Sequence, residues 1–302
     1  MVIEMGVSMK TRASLAFASI LLVPSVAHAD DITISPRLWI VVDALSADSD
    51  RGGTGQSTGD IGSFSSMPFI VPMVGGSIAY RSDSFLPKTT FTLTALFGSD
   101  DSRLTLRGSS IVPVTVGGVT RDQLQSSLER TEEHLRRRDF EFTAQTRIND
   151  LWSWMAGLRY EGARVRFTPT ITSTSTDPFN NGAVSTTVTT FPSFKGGYDL
   201  FSARAGVAFV APLNERRTDS LYANGLAFIG RRSNKDHTAA PQYDNATFIG
   251  PDLTVGYQHR FGDNFALDLR YRAQFFFSVG GAGRFGEPKN SHGPSVALAY
   301  TF

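Results

Sequence analysis

The chain has 302 residues, of which 41% are hydrophobic, with a formal net charge of +1 and no cysteine. A net charge this close to zero gives no basis for nucleic-acid binding, and the lack of cysteine excludes both a disulfide framework and a thiolate metal site. No stretch after residue 30 approaches the roughly 18 consecutive apolar residues that a transmembrane helix needs.

Residues 1–29 have the pattern of a cleaved export signal. Two basic residues precede an apolar run at 13–23, and a small-x-small pattern ends at Ala29. The apolar run is too short to cross a bilayer as a helix. We therefore predict cleavage between Ala29 and Asp30, and a single domain over residues 30–302.

Ten later segments alternate apolar and polar residues, as half-buried β-strands do. The clearest is 264–278, where every second residue from Phe265 to Phe277 is apolar or aromatic. In chain order the predicted strands are residues 32–43, 69–81, 89–98, 138–148, 152–167, 198–210, 220–231, 248–261, 264–278 and 293–302.

The alternation changes phase within the fifth predicted strand. Leu158 and Tyr160 occupy the apolar positions before Gly162, whereas Val165 and Phe167 occupy the opposite positions after it. The change predicts either a β-bulge at Gly162 or the point at which the strand leaves a membrane.

Connections between the predicted strands are alternately long and short. The long ones are residues 44–68, 99–137, 168–197, 232–247 and 279–292, and the short ones are 82–88, 149–151, 211–219 and 262–263. This order is typical of transmembrane β-barrels with short periplasmic turns and long external loops. We predict an all-β, antiparallel up-and-down barrel of about ten strands, with eight or twelve as alternatives. Residues 103–116 and 164–194 are rich enough in Thr, Ser and Val to extend strands above the membrane.

Residues 121–138 are the exception to the strand pattern. Leu124, Leu128 and Leu135 fit one narrow face of a helix, with charged residues between them. We expect a surface helix that caps the barrel mouth or, as the alternative, a helix folded into the lumen as a constriction.

Charged residues on the predicted strands must face the lumen, because a charge at the bilayer midplane costs about 2–4 kcal/mol on such a barrel. The predicted lumen residues are Arg37, Arg81, Glu141, Arg147, Arg159, Glu161, Arg204, Asp252, Asp268, Arg270 and Arg272. A barrel of about eight to ten strands is little wider inside than its own side chains. We expect these groups to pair and fill it; the alternative is a narrow pore that favours anions.

Four histidines remain after the export signal. His259 is expected on the outward face near a short turn, whereas His134, His237 and His292 are expected in external loops. The sequence has no Gly-x-Ser-x-Gly elbow, no His-Glu-x-x-His pair and no calcium-loop or phosphate-loop pattern. We therefore expect no enzyme and no cofactor. A loop-based hydrolase is a distant alternative, which unchanged activity after replacement of the three loop histidines would remove.

The last ten residues place Val296, Leu298, Tyr300 and Phe302 on one face and small residues on the other. With this closing strand the chain resembles the small monomeric outer-membrane β-barrel proteins of Gram-negative bacteria, whose assembly signal ends in Phe. The resemblance implies the lipid of the cell outer membrane as surroundings and recognition by the barrel-assembly machinery. The polar, glycine-rich loops are expected to contact lipopolysaccharide. It identifies no subfamily.

Three functions remain compatible with the sequence. A non-enzymatic barrel with a role in envelope integrity or surface contact is expected first. A narrow solute pore is second, and the loop-based hydrolase is third. No residue pattern identifies a solute or a surface ligand.

Overall fold

The computed structural model describes residues 31–43, 69–82, 86–234, 246–279 and 289–302, which form eleven antiparallel strands and no helix. The strands are β1 (Asp31–Asp43), β2 (Phe69–Ser82), β3 (Thr89–Val116), β4 (Val119–Arg147), β5 (Trp152–Asp177), β6 (Ala183–Thr190), β7 (Phe194–Pro212), β8 (Asp219–Asn234), β9 (Thr247–Phe261), β10 (Phe265–Val279) and β11 (Lys289–Thr301). The described residues include no helix that is long and apolar enough to cross a membrane.

Ten of the strands close into a barrel. Neighbours in the chain pair from β1 to β5, β5 then pairs with β7, and the ladder continues to β11, which pairs with β1. In the described part of the chain β6 pairs with β5 alone, and it lies outside the closed wall. The predicted up-and-down barrel of about ten strands is confirmed, and the pairing of β1 with β11 closes it.

The two ends of the barrel differ in their connections. Residues 148–151, 213–218 and 262–264 connect strands at one end, which we call the short-turn end. The opposite end is called the long-loop end. There a two-residue turn joins β3 to β4, and residues 44–68, 235–245 and 280–288, which connect other strands, lie outside the described part of the chain.

Large apolar side chains cover the outside of the wall. Leu158 and Phe201 are each 62% exposed, and Leu93 is 56% exposed. Exposed apolar side chains on neighbouring strands would be unfavourable in water, but they are what the hydrocarbon region of a membrane requires.

β3 to β6 continue beyond the wall at the long-loop end. β2 pairs with β3 only as far as Gly98, and β7 pairs with β5 only as far as Phe167. The rows beyond Phe167 contain residues 103–116, 119–132, 168–177 and 183–190, which we call the arm. At about 3.3 Å per residue the β3 part of the arm is roughly 45 Å long.

A two-residue turn at the tip of the arm joins β3 to β4. Gly117 and Gly118 have φ angles of +58° and +80°. Positive φ at both central residues is the requirement of a type I′ hairpin turn, and glycine meets it without a Cβ clash.

The helix predicted over residues 121–138 is wrong, because this segment belongs to β4. It pairs with β3 on one side and, from Gln125 onward, with β5 on the other, so both neighbours satisfy its backbone. Leu135 faces inward and is fully buried, whereas Leu124 is half exposed on the opposite face. The leucine spacing therefore does not mark one helical face. The prediction of strand extensions is confirmed for residues 103–116 in β3 and 164–177 in β5, whereas residues 183–190 form the separate strand β6.

The β-bulge considered at Gly162 is also absent. Gly162 pairs with Arg138 and Asp199, and the register of β5 with both neighbours is unchanged on either side of it. The change of phase therefore means that the apolar side chains of β5 face outward before Gly162 and inward after it.

Candidate functional site: the barrel lumen

Inward side chains of the middle rows form a polar layer across the lumen, and Asp252 is its most connected acid. The Asp252 carboxylate on β9 is 1% exposed and accepts hydrogen bonds from Arg204 Nη1 at 3.1 Å, Arg272 Nε at 2.8 Å and Gln274 Nε2 at 2.9 Å. Glu141 on β4 binds Arg272 Nη1 at 2.8 Å and also pairs with Arg204. The layer therefore ties β4, β7, β9 and β10 together across the barrel.

A second group of the same layer centres on Glu161 of β5. Arg137 Nη2 lies 3.0 Å and Arg159 Nη2 3.1 Å from the Glu161 carboxylate. Tyr198 Oη donates a hydrogen bond to the same carboxylate at 2.5 Å. Arg159 Nε also donates to Asp139 at 2.8 Å. Each of these two acids is at most 3% exposed, so both depend on these partners for charge compensation.

A third group lies on β1, β2, β8 and β10. Asp268 accepts a hydrogen bond from Tyr222 Oη at 2.5 Å and pairs with Arg270. Arg37 Nη2 donates to Ser77 Oγ at 3.4 Å.

The polar layer is nearly neutral. Its six arginines are Arg37, Arg137, Arg159, Arg204, Arg270 and Arg272, and its five carboxylates are Asp139, Glu141, Glu161, Asp252 and Asp268. The difference is one positive charge. Near balance is expected of a filled interior, because an uncompensated charge out of contact with water is costly.

Trp39 lies at the boundary of this layer. Three guanidinium carbons lie within cation–π range of its ring centroid: those of Arg137 at 5.8 Å, Arg159 at 6.0 Å and Arg272 at 5.6 Å. Its indole N–H donates to the Gly293 carbonyl at 3.2 Å, and only 2% of the residue is exposed. The ring therefore covers the arginines on the side of the long-loop end.

Beyond Trp39, towards the long-loop end, inward side chains form an apolar layer. Phe276 is 2% exposed, with ring centroids of Phe228 and Phe248 at 5.2 and 6.3 Å. The other large members are Val41, Phe69, Val71, Met73, Leu96, Leu135, Val165, Phe167, Tyr198 and Leu200. Each of these ten residues is at most 6% exposed, so almost none of their surface is accessible to water.

The outer surface beside the apolar layer is charged on β4, β5 and β7. Asp199 accepts hydrogen bonds from Tyr160 Oη at 2.8 Å and Arg164 Nη2 at 3.0 Å, and Arg138 Nη2 lies 3.6 Å away. A Cβ at Gly162 would lie 2.7 Å from Tyr160 Oη and 2.9 Å from Arg138 Nε, so glycine leaves space for this cluster. Here the strands carry charged side chains outside, whereas the inside is mainly apolar and also holds the buried Glu133 of β4.

Nine predicted lumen residues lie in the polar layer: Arg37, Glu141, Arg159, Glu161, Arg204, Asp252, Asp268, Arg270 and Arg272. Arg81 and Arg147 do not join it. Their side chains are 48% and 46% exposed at the short-turn end, where they pair with Asp31 at 3.9 Å and with Asp150. Both stand at strand ends, where solvent rather than the lumen surrounds them.

The sequence interpretation missed several members of the site. These inward residues are Trp39, Ser77, Arg137, Asp139, Tyr198, Tyr222 and Gln274. Asp139 alternates with Glu141 inside the predicted strand, and one further step of the same alternation reaches Arg137.

The histidines are not grouped. His134 lies on β4, with Nδ1 2.8 Å from Asp101, and His292 lies on β11, with Nδ1 2.6 Å from Tyr271 Oη. Both were expected in loops but are on strands, because β4 and β11 extend further than predicted. His259 lies near the short-turn end with Nδ1 2.7 Å from Asp219, while His237 lies outside the described residues.

The closing strand presents its predicted apolar face outward. Val296, Leu298 and Phe302 are 37%, 47% and 55% exposed. The Tyr300 ring lies 4.7 Å from those of Phe265 and Phe302. The export signal, including the cleavage site predicted between Ala29 and Asp30, lies outside the described residues.

No family model matches the chain, and no curated protein matches its sequence. Among solved structures it is similar to the outer membrane protease OmpT from Escherichia coli, with 10% identity, a TM-score of 0.41, and coverage of 90% of this chain and 96% of that one. It is also similar to the translocator domain of the autotransporter NalP from Neisseria meningitidis, with 11% identity, a TM-score of 0.31, and coverage of 92% and 90%. It is also similar to a Pseudomonas aeruginosa FadL homologue, with 10% identity, a TM-score of 0.27, and coverage of 90% of this chain and 89% of that one. These likenesses concern barrel architecture only.

Proposed function

We propose that this protein is a non-conducting barrel of the outer membrane whose role is structural and in surface contact. The observation that supports it is the lumen, where an ion-paired layer and an apolar layer lie one above the other. Side chains from strands all around the wall take part in them. The exposed apolar exterior supports a membrane location, and the arm supports contact with partners above the membrane.

Conductance across planar bilayers tests the closed lumen. The purified barrel should insert without producing current steps. Replacing Trp39, Arg272 and Phe276 together by alanine removes side chains from the boundary and from both layers, and this variant should conduct.

A matched triple variant, with Leu93, Leu158 and Phe201 replaced by alanine on the outer face, should remain silent. Steps from the unmodified protein that favour anions would overturn the proposal. They would support the narrow pore instead, for which the one-charge excess of arginine is the specific argument.

The proposal assigns no catalytic role to the barrel. His134, His259 and His292 each contact one carboxylate or tyrosine, and they lie on β4, β9 and β11. The proposed surroundings are outer-membrane lipid and lipopolysaccharide, and the barrel-assembly machinery is the partner proposed for the closing strand.

A further inference from the structure

Among the described residues, no strand pairs with either outer edge of the arm, and the two edges differ in chemistry. Its β3 edge carries Pro113, and proline is one of the features that protect an exposed strand from pairing with another chain. Its β6 edge has the sequence Ala-Val-Ser-Thr-Thr-Val-Thr-Thr, without charge or proline. All eight residues of β6 are exposed. An uncharged, β-branched edge of this kind is a template for a further strand.

The hydrogen-bond pattern shows which backbone groups are directed to the free edge. Phe191 N donates to Pro169 O at 3.0 Å, which makes this a hydrogen-bonded pair of the antiparallel ladder. Odd-numbered residues of β6 therefore direct their backbone groups to β5. Val184, Thr186 and Val188 direct theirs away from it, to the open side.

The same edge is complementary to itself. A two-fold axis beside Thr186 places that residue opposite its own copy, and it places Val184 opposite Val188 of the second chain. Ser185 then lies opposite Thr187. Valine meets valine, threonine meets threonine, and no like charges face each other, so the pairing has no electrostatic penalty.

We propose that β6 pairs antiparallel with β6 of a second copy of this chain, centred on Thr186. The proposal extends the surface-contact role proposed above and does not depend on a closed lumen. The sequence resemblance implies a monomeric barrel, and the proposed pairing is a contact between two such barrels.

The direction of the two-fold axis also determines where the second barrel lies. β6 pairs with β5, which runs without interruption from the wall, and strands of such walls lie about 35–45° from the membrane normal. A two-fold perpendicular to β6 reverses the strand direction. It therefore cannot place both barrels upright in one flat membrane, and the second copy must lie in a facing membrane.

Single-cysteine variants test the register, because the natural chain has no cysteine. Residues in a hydrogen-bonded antiparallel pair have Cα atoms about 5.5 Å apart, within reach of a disulfide. Thr186→Cys should therefore form disulfide-linked dimers under mild oxidation. Val184→Cys alone should not, because its copies would be about 15 Å apart. A mixture of Val184→Cys and Val188→Cys chains should cross-link.

Ser110→Cys on the β3 edge is the matched control and should remain monomeric. Adding Val188→Lys to Thr186→Cys should abolish the dimer while the barrel keeps its heat-modifiable migration. Equal cross-linking of Thr186→Cys, Val184→Cys and Ser110→Cys would overturn the proposed pairing, as would its absence from all of them.

Two vesicle populations test the facing-membrane arrangement. Val184→Cys protein is reconstituted in one population and Val188→Cys protein in the other, with outward arms verified by protease accessibility. Cross-links should form when the populations are mixed. Cross-links that form only when both variants share a vesicle would overturn the facing arrangement. A protein that conducts but cross-links through Thr186 would overturn the closed lumen and leave this inference standing.

Discussion

The polar and apolar layers of the lumen are formed by neighbouring residues of the same strands, yet opposite chemistry holds each of them together. On β5, Arg159 and Glu161 face inward into the polar layer, and Val165 and Phe167 face inward into the apolar layer. The register does not change between them. Only the surroundings of the outer face differ, with Leu158 and Tyr160 beside the first layer and Arg164 and Arg166 beside the second.

One wall therefore combines a barrel with an ion-paired interior and a barrel with an apolar interior. Where the exterior is apolar, polar residues are left to the interior, and they are stable there only as a compensated network. Where the exterior carries charge, the interior can be an ordinary hydrophobic core. The lumen is therefore closed by ion pairs at one level and by close packing at the next.

Removing one arginine of the polar layer should lower the free energy of unfolding more than any other change considered for the two layers. Arg272→Ala leaves Glu141 and Asp252 with Arg204 as their remaining arginine partner, and breaking a buried pair in this way costs about 3–5 kcal/mol. The free energy of unfolding, from urea titration of the barrel in micelles, should fall by that amount.

Arg81→Ala is the control, because its exposed pair with Asp31 should contribute about 0–1 kcal/mol. Equal losses of unfolding free energy in the two variants would mean that the polar layer is solvated, and would contradict its description as a compensated buried network.

Emptying part of the apolar layer should come next. Phe276→Ala removes a ring packed between Phe228 and Phe248, and such truncations cost about 3 kcal/mol or slightly more. The adjacent Phe277 faces outward and is 43% exposed, so Phe277→Ala should cost clearly less in the same titration. The reverse order would show that the inward side chains do not form a packed core.

A pH dependence at the base of the arm should be the smallest effect. Burial, and then the charges of Asp101 and Glu133, raise the pKa of the Asp100 carboxyl to about 6 from its usual 3.8. The native state thus binds this proton more tightly than the unfolded state. The local stability should fall as pH rises from about 4 to about 6.

Hydrogen exchange of the β3 amides measures this loss. In the unmodified protein, protection should decrease across that pH range relative to Asp100→Asn protein, which has no carboxyl at this position and corrects for the intrinsic pH dependence of exchange. Identical pH profiles would contradict the effect.

The wall was predictable from the sequence because its rule is strict. Lipid outside the barrel forces an apolar residue at every second position, so β10 and β11 were identified by alternation alone, and the inward arginines followed. The same rule explains why Arg81 and Arg147 were misplaced: alternation gives the face of a residue but not its depth.

The arm and the upper interior were less predictable, because no lipid constrains them. Leu124, Leu128 and Leu135 fit a helical spacing, and only pairing with both β3 and β5 makes their segment a strand. The reversed faces beyond Gly162 were visible as a phase change. Their meaning depended on side chains from other strands, such as Phe276 and Trp39, which sequence spacing does not bring together.

The glycine turn at the tip of the arm has a consequence for the order in which the chain folds. The residues that it joins are close in sequence, as with Thr115 and Thr120, whose hydroxyls are 2.7 Å apart, whereas the seam joins Thr33 to Thr301 across 268 positions. Since the entropy of loop closure increases with separation, hairpin zippering from Gly117 is the early event and closure of the seam is the late one. Local hairpins, with the arm among them, should therefore be ordered while the cylinder is still an open sheet.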